Sequence, residues 1–459
     1  MNRNACFVLL LFGSMLGGFA QTSVNTALPA IMGDLDISVM TAQWLATAYL
    51  LSFCIMTPLF AMLTRKFSLK ALFVAAQGVF LLGSIVCSFA PNFAILLVGR
   101  IAEGGSAAIA VPLVQLFGLR EYPVERRGFV MGFTGLAFGF APNVGPAVAG
   151  FFTTSYGWRA SFVFLIAYSL VCLIVGMFLL RSFGESHEGE GDAERVDMVS
   201  LVFSSVGFSC LLLGVSNLAD YGFVHPFAIV PLLVGVVAVV VFLRRQNRIE
   251  HPLINLKVME NASYVAGMIT LCLVNASFVG LNLVVALGLQ EVRGCSAFDA
   301  GLLLLPGVVT SVIASPIAGW LQDRWGTRRV SIVASVLVGV GTFALVPLAS
   351  YESLVWVSFF QAVRCLGLAP LITTVNTWSM SVLDKSLTTD GMSLMGVVRQ
   401  LCAAAGTTLL TLCIAYASAL VGQSAQVSAF GITAAIVLAA VVWSAVIVLV
   451  VRAIKVEFN

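Results

Sequence analysis

Apolar residues run in long unbroken stretches along this chain, and polar positions gather in short clusters between them. The stretches do not alternate polar with apolar, so they do not spell the strands of a membrane barrel. A bilayer core takes about 20 apolar residues per helix. On that rule the first half reads as six spans: Phe7–Ile31, Gln43–Leu63, Leu69–Phe89, Phe93–Phe117, Gly128–Thr153 and Ser161–Arg181. Two more follow at Met198–Leu218 and Phe227–Leu243. The last six are Tyr264–Leu289, Ala297–Leu321, Val330–Leu348, Leu354–Val382, Ser393–Val421 and Phe430–Val451. The expected fold class is an all-α polytopic membrane protein with fourteen transmembrane helices.

The longest polar segment, Gly184 to Arg195, is acidic and glycine-rich and reads as a solvated linker. A second polar stretch runs from Arg244 to Asn261. The expected domains are a six-helix bundle over 1–183, an acidic cytoplasmic linker over 184–197, two inserted helices with a cytoplasmic loop over 198–261, and a second six-helix bundle over 262–459. A weak internal repeat supports that division. The second span ends in Arg65-Lys66-Phe67-Ser68-Leu69-Lys70, and the tenth ends in Asp323-Arg324-Trp325-Gly326-Thr327-Arg328-Arg329. The fourth and twelfth spans each carry one early arginine, Arg100 and Arg364. Parallel repeats of this kind mark transporters built from two halves.

Composition agrees. The chain of 459 residues is 60% apolar and 10% charged, with mean hydropathy +1.03, whereas soluble domains carry about 25% charged residues. Lysine and arginine fall after the second, fourth, eighth and tenth spans and at the end, while the opposite loops hold chiefly Arg159 and Arg293. That places both termini in the cytoplasm and the protein in the inner (cytoplasmic) cell membrane as a multi-pass protein. The N-terminal apolar run reads as an uncleaved first span rather than a signal peptide. A net charge of +3 implies no nucleic-acid partner. Most cysteines lie inside apolar runs without a CxxC pair, and His187, His225 and His251 have no metal-site spacing, so no metal or cofactor is expected.

Two constellations carry chemistry. Arg100 and Glu103, three apart on one helix, share a face inside the membrane. Charged groups there are costly and face a cavity or a partner. They read as a proton site, with a static salt bridge holding helices in register as the alternative. Glu291, at the end of the ninth span, is a second carboxylate candidate for proton coupling or a solvated interfacial residue. Asp220 and Asp299 read as loop or cap residues. Arg364 is expected to pair or snorkel within the second half, and Arg399 to sit toward the cytoplasmic side. The other constellation is the run Gly135, Gly139, Pro142, Asn143, Gly145, Pro146, Gly150, where small residues permit close helix contact and prolines bend the helix.

The motif Ala141-Pro142-Asn143-Val144-Gly145-Pro146 with Gly150 resembles the antiporter motif of the fifth helix in major facilitator exporters. Gly319, Asp323, Arg324, Gly326 and Arg328 match that family's cytoplasmic loop motif. Asp323 there can cap a helix end or pair with a cation, and Gly326 allows a tight turn. The first-half copy has Arg65 where the family has aspartate, which puts the usual latch of that half in doubt. Thr22 to Pro29, Arg100 to Gly104, Tyr156 to Phe162 and Arg399-Gln400 with Gly406 also resemble the fourteen-span drug:proton antiporter branch of the superfamily. The branch's first-span aspartate is absent, since Ala20 holds its place, and this weakens the case for strongly cationic drugs.

The resemblance implies two six-helix bundles plus two inserted helices. Gly139, Pro142, Gly145, Pro146 and Gly150 would form a gating and packing motif against the other half. Gln21, Asn25, Phe138 and Asn143 would line the cargo cavity. Phe133, Phe138 and Phe140 are available to greasy substrates, with core packing or lipid contact as the default for any single phenylalanine. The implied function is proton-coupled antiport of hydrophobic or amphipathic small molecules by alternating access, with uptake or exchange of a specific metabolite as the alternative. The partners would be the cargo, protons and the lipid bilayer. A monomer is expected, with a periplasmic adaptor left open. No P-loop, HExxH or GxSxG motif points to ATP drive or to an enzyme.

Overall fold

The computed structural model describes residues 3–180, 197–222, 225–249, 252–295, 297–384, 386–421 and 428–454. The acidic segment 184–196, Arg181, His187 and His251 lie outside the described residues. The first block comprises α1 (Arg3–Leu35), α2 (Val39–Lys66), α3 (Leu69–Ser88), α4 (Phe93–Glu121), α5 (Val124–Tyr156) and α6 (Arg159–Leu179). Helices α7 (Met198–Tyr221) and α8 (Pro226–Gln246) follow. The last block holds α9 (Ala262–Leu287), α10 (Ala297–Trp325), α11 (Thr327–Ala344), α12 (Leu354–Ser381), α13 (Thr388–Leu420) and α14 (Ala429–Ala453). All fourteen are long and apolar enough to cross a membrane, and no β-strand occurs among the described residues.

Several helices start where a short polar side chain satisfies the first free N–H groups. Ser38 accepts from the Thr41 N–H, Ser68 from Ala71, and Asn92 from Ile95. The Ser38 cap lies outside the apolar run, so α2 begins earlier than hydropathy alone indicates; α13 also begins earlier, at Thr388, ahead of the apolar run and without a side-chain cap. In contrast, α11 stops at Ala344, short of the expected Leu348, because the chain turns through Pro347 into a 3₁₀ turn over Leu348–Ser350.

Packing repeats with an offset of eight helices. In the first block α1 packs on α5, α2 on α4, α3 on α4, and α3 on α6. In the last block α9 packs on α13, α10 on α12, α11 on α12, and α11 on α14. Helices α7 and α8 pack on each other, and α7 leans on α2 and α13. Asp197, just before α7, accepts two hydrogen bonds from Arg245 of α8 at 2.8 and 3.0 Å. The two blocks meet through α5 with α10 and α12, and through α13 with α2 and α4. Even-numbered helices end on one face, which carries most of the arginines and is called the basic face below.

Candidate functional site

Asn92 starts α4, and the three-residue spacing then brings Arg100 and Glu103 to one side of it. Arg100 Nη1 donates to Glu103 Oε2 at 2.6 Å, and both side chains are 0% exposed. Arg100 Nε donates to the Leu45 carbonyl at 3.2 Å, and its guanidinium lies 4.6 Å from the centre of the Tyr49 ring. Ser84 donates to Glu103 Oε1 at 2.7 Å. Glycines let the surrounding backbones close on the pair. A Cβ on Gly104 would lie 2.2 Å from the Tyr49 carbonyl, and one on Gly99 would lie 2.7 Å from the Gly83 carbonyl. The pair is thus enclosed by α2, α3 and α4 of a single block. Protonation of Glu103 would dissolve the ion pair and leave Arg100 to its carbonyl and ring contacts.

The equivalent arginine of the last block has different company. Arg364 is fully buried and bonds to Asn282 of α9. Its Nε and Nη1 find no oxygen or nitrogen acceptor, and no carboxylate pairs with it among the described residues. It neither snorkels nor forms an ion pair, contrary to expectation, because its backbone lies close against α11: a Cβ on Gly341 would lie 2.6 Å from the Arg364 backbone nitrogen.

Both blocks close together at the basic face through two unlike latches. In the first, Asp323 at the end of α10 accepts backbone N–H bonds from Gly128 and Phe129 of α5, both at 2.9 Å. Among the described residues Asp323 neither pairs with a cation nor caps the first turn of α5; it bonds to backbone in that helix's second turn. Gly319 makes the approach possible, since a Cβ there would lie 2.1 Å from the Gly128 carbonyl. Gly326 has φ 80°, which gives the tight turn into α11. Arg324 stacks 4.1 Å from the centre of Trp320, and Arg328 is half-buried with an unpartnered Nε. In the second latch Arg65 Nη2 of α2 donates to both carboxylate oxygens of Asp390 of α13, each at 2.9 Å. Arg65 is 38% exposed and Asp390 1%. The Asn255 N–H also donates to Asp390 at 3.0 Å. The half that lost its aspartate therefore keeps a latch, in which the last block again supplies the carboxylate and Arg65 supplies a cation.

The glycine and proline motif of α5 sits elsewhere than expected. Pro142 and Gly145 pack on α1 of the same block, where Gly18 and Thr22 stand close enough to clash with an added Cβ. Gly150 lies beside Thr26, also on α1, and Pro146 is half-buried. Contact with the other block is made about two to four turns before Pro142, by Gly128, Gly132 and Gly135, which meet Gly319, Ser315 and Thr373. The bent helix does pack against the other half as the resemblance implied, but through these earlier glycines, whereas Pro142, Gly145 and Gly150 face α1. The prolines turn that part of α5 toward α1, while the earlier glycines, four and then three residues apart, form the flat face that α10 meets.

Around the cleft between the blocks, Gln115 of α4, Met131, Thr134 and Gly135 of α5, Ile372, Thr373 and Asn376 of α12 and Arg399 of α13 surround a cavity of about 10 Å³. A larger cavity of about 690 Å³ opens at the basic face, edged by Arg65, Lys66, Arg120, Glu121 and Arg127. The other expected cargo residues are dispersed. Gln21 is half-buried and Asn25 exposed on α1, and neither makes a hydrogen bond among the described residues. Phe138, Gly139 and Asn143 belong to α5, but their surroundings and that of Asp220 lie outside the described residues. Glu291 is exposed in a π-turn at the end of α9. It belongs to the other block and is not brought to Arg100 and Glu103. Asp390, Gln115 and Asn376 escaped the sequence reading. An acidic residue beside the start of a span, in the first turn of α13, was the available signal for the first of these.

Comparison with known proteins completes the picture. The sequence profile of the Major Facilitator Superfamily matches residues 10–407. A Bacillus subtilis protein described as the uncharacterized MFS-type transporter YcnB is 32% identical over 443 residues, covering 96% of this chain and 93% of the relative. The lincomycin resistance protein LmrB of Listeria monocytogenes is 28% identical over 397 residues, covering 86% of this chain and 83% of the relative. Among solved structures, that of the human organic anion transporter MFSD10 overlays with a TM-score of 0.70, covering 98% of this chain and 100% of that one. At 12% identity this last likeness concerns the fold and says nothing of cargo. With its helices repeated in two blocks and its profile match spanning most of the sequence, the chain belongs to the major facilitator superfamily, a family of secondary transporters of small molecules rather than of enzymes.

Proposed function

We propose that the protein exports hydrophobic or amphipathic small molecules in exchange for protons. The rigid bodies are the bundles 1–183 and 262–459, which rock about the cleft between them, with 184–197 as the linker and 198–261 as the inserted pair. The basic face is cytoplasmic on the positive-inside rule, so the two latches hold the joint shut at its cytoplasmic end in this state. The carrying observation is Glu103, a carboxylate deep inside a span whose charge is held by Arg100. When Glu103 takes a proton the ion pair is lost, and α4 is released from the α2 and α3 contacts that the pair organises. Resistance named for relatives such as LmrB agrees with export of amphipathic compounds.

Accumulation of cargo into everted vesicles should follow an imposed proton gradient and collapse when a protonophore is added. Accumulation unchanged by the protonophore overturns the coupling. A second reading, exchange of one metabolite, is favoured by Ala20 standing where the resembled branch has a carboxylate. One tight ligand in a cargo screen, with no resistance conferred on cells, would select it.

A further inference from the structure

We infer that the cleft between the two blocks contains an anion site centred on Arg399, and that the cargo is an amphipathic molecule with an anionic head such as a carboxylate. The inference rests on the cleft being the cargo path. Arg399 stands well inside α13, roughly 16 Å along the axis from Thr388 at 1.5 Å per residue. It makes no hydrogen bond and no ion pair among the described residues, and its electrostatic neighbour is Cys272, a thiol rather than a carboxylate. An arginine in that position is normally paired or faces a polar cavity.

Two further groups in the same cavity have unused bonding capacity. Gln115 and Asn376 are 8% and 6% exposed and make no hydrogen bond among the described residues. They come from opposite blocks, so a ligand held by both together with Arg399 would bridge the joint that must open and close. In the present state the cavity has room for one water-sized group, and a larger head would enter as the blocks part. Guanidinium offers a planar fork to a carboxylate, and a buried amide on each side supplies further donors.

The charge balance of the membrane interior points the same way. Among the described residues, the charged groups well away from helix ends are Arg100, Glu103, Arg364 and Arg399. Glu103 is taken by Arg100, which leaves two arginines without a carboxylate. A cationic cargo would meet uncompensated positive charge there, whereas an anion would relieve it. The basic-face cavity, with Arg65, Lys66, Arg120 and Arg127 against Glu121, is an entrance of the same sign.

The test uses purified full-length protein and three probes with one aromatic body: pyrenebutyrate, its neutral amide and the corresponding pyrenyl-alkylammonium. Binding is read by fluorescence without a proton gradient. The wild type should bind the carboxylate at least tenfold more tightly than the amide, and the ammonium more weakly still. Arg399→Gln should erase that preference and Arg399→Lys should keep part of it. If Arg399→Gln does not fold, the double variant Gln115→Leu with Asn376→Leu replaces it, with a several-fold loss confined to the carboxylate probe. Equal binding of all three probes by the wild type overturns the inference. So does a carboxylate preference that survives loss of Arg399 or, in the fallback, of both amides. Inorganic phosphate displacing the probe at matching concentration would make a free anion the occupant and remove the cargo assignment. The two readings fail separately: loss of proton release in Glu103→Gln leaves this preference untouched, and loss of the preference leaves proton coupling standing.

Discussion

Arg100 and Arg364 occupy the same ordinal helix in the two blocks, and both are buried without exposure. The first has a carboxylate three residues away, a serine behind that carboxylate and a ring beneath the guanidinium. The second has one amide. A repeat can therefore preserve the position of a charge while changing what the charge can do. One block holds a pair that a single proton dissolves, and the other holds a fixed cation. Coupling on this account is a property of the first block alone, although both blocks must move.

The largest expected effect tests that contrast on stability. Arg100→Met strands Glu103 in the interior with only Ser84, which should cost about 3–5 kcal/mol. Arg364→Met strands no carboxylate, so it should cost less than about 1 kcal/mol or even stabilise. Thermal unfolding of the two variants in detergent checks this, and equal losses would break the comparison.

The latches make the next contrast. Gly319→Ala places a methyl group against a carbonyl that cannot yield, so α10 must part from α5. Amide exchange at Gly128 and Phe129 should then rise by at least tenfold, and Asp323→Ala should raise it by about the same factor, ~1.5 kcal/mol for hydrogen bonds to a charged acceptor. The α2 and α13 latch is weaker because Arg65 is partly solvated. Arg65→Ala should cost about 1 kcal/mol. Arg65→Asp should cost more by repulsion, and adding Asp390→Arg should recover most of the loss. Failure of that exchange to rescue would mean that the helix end, rather than the opposite charge, holds Asp390.

The smallest effect lies at the inserted helices. The two hydrogen bonds from Arg245 depress the Asp197 carboxyl to about 2, below the usual ~3.9. A depressed folded value contributes stability that is present above the ordinary value and lost as pH falls through the folded one. The α7 and α8 pairing should therefore weaken between about pH 4 and pH 2, and Asp197→Asn should remove that dependence. Melting curves across this window would show it.

Fourteen spans, the eight-helix offset and the Arg100–Glu103 face were legible because each rests on local periodicity: hydropathy over a span, ordinal place in a block, a three-residue spacing. Contacts that depend on which helices meet across the joint were not legible. Sequence alone could register that Arg65 had replaced an acidic residue, but not that Asp390, hundreds of residues away, supplies the missing charge. The α5 helix meets the other half as expected, but through Gly128, Gly132 and Gly135 rather than the motif, because small residues declare a face without declaring which helix lies on it. Gln115 and Asn376 resemble any polar residue in a span until the fold brings them beside Arg399.

The most direct test is cargo-induced proton release from protein in liposomes, compared between wild type, Glu103→Gln and Arg364→Gln over a panel of lipophilic cations, neutral compounds and anions. The account predicts release by the wild type, its loss in Glu103→Gln and its retention in Arg364→Gln. Release that persists in Glu103→Gln would contradict a proton site confined to the first block and return the Arg100–Glu103 pair to a structural role.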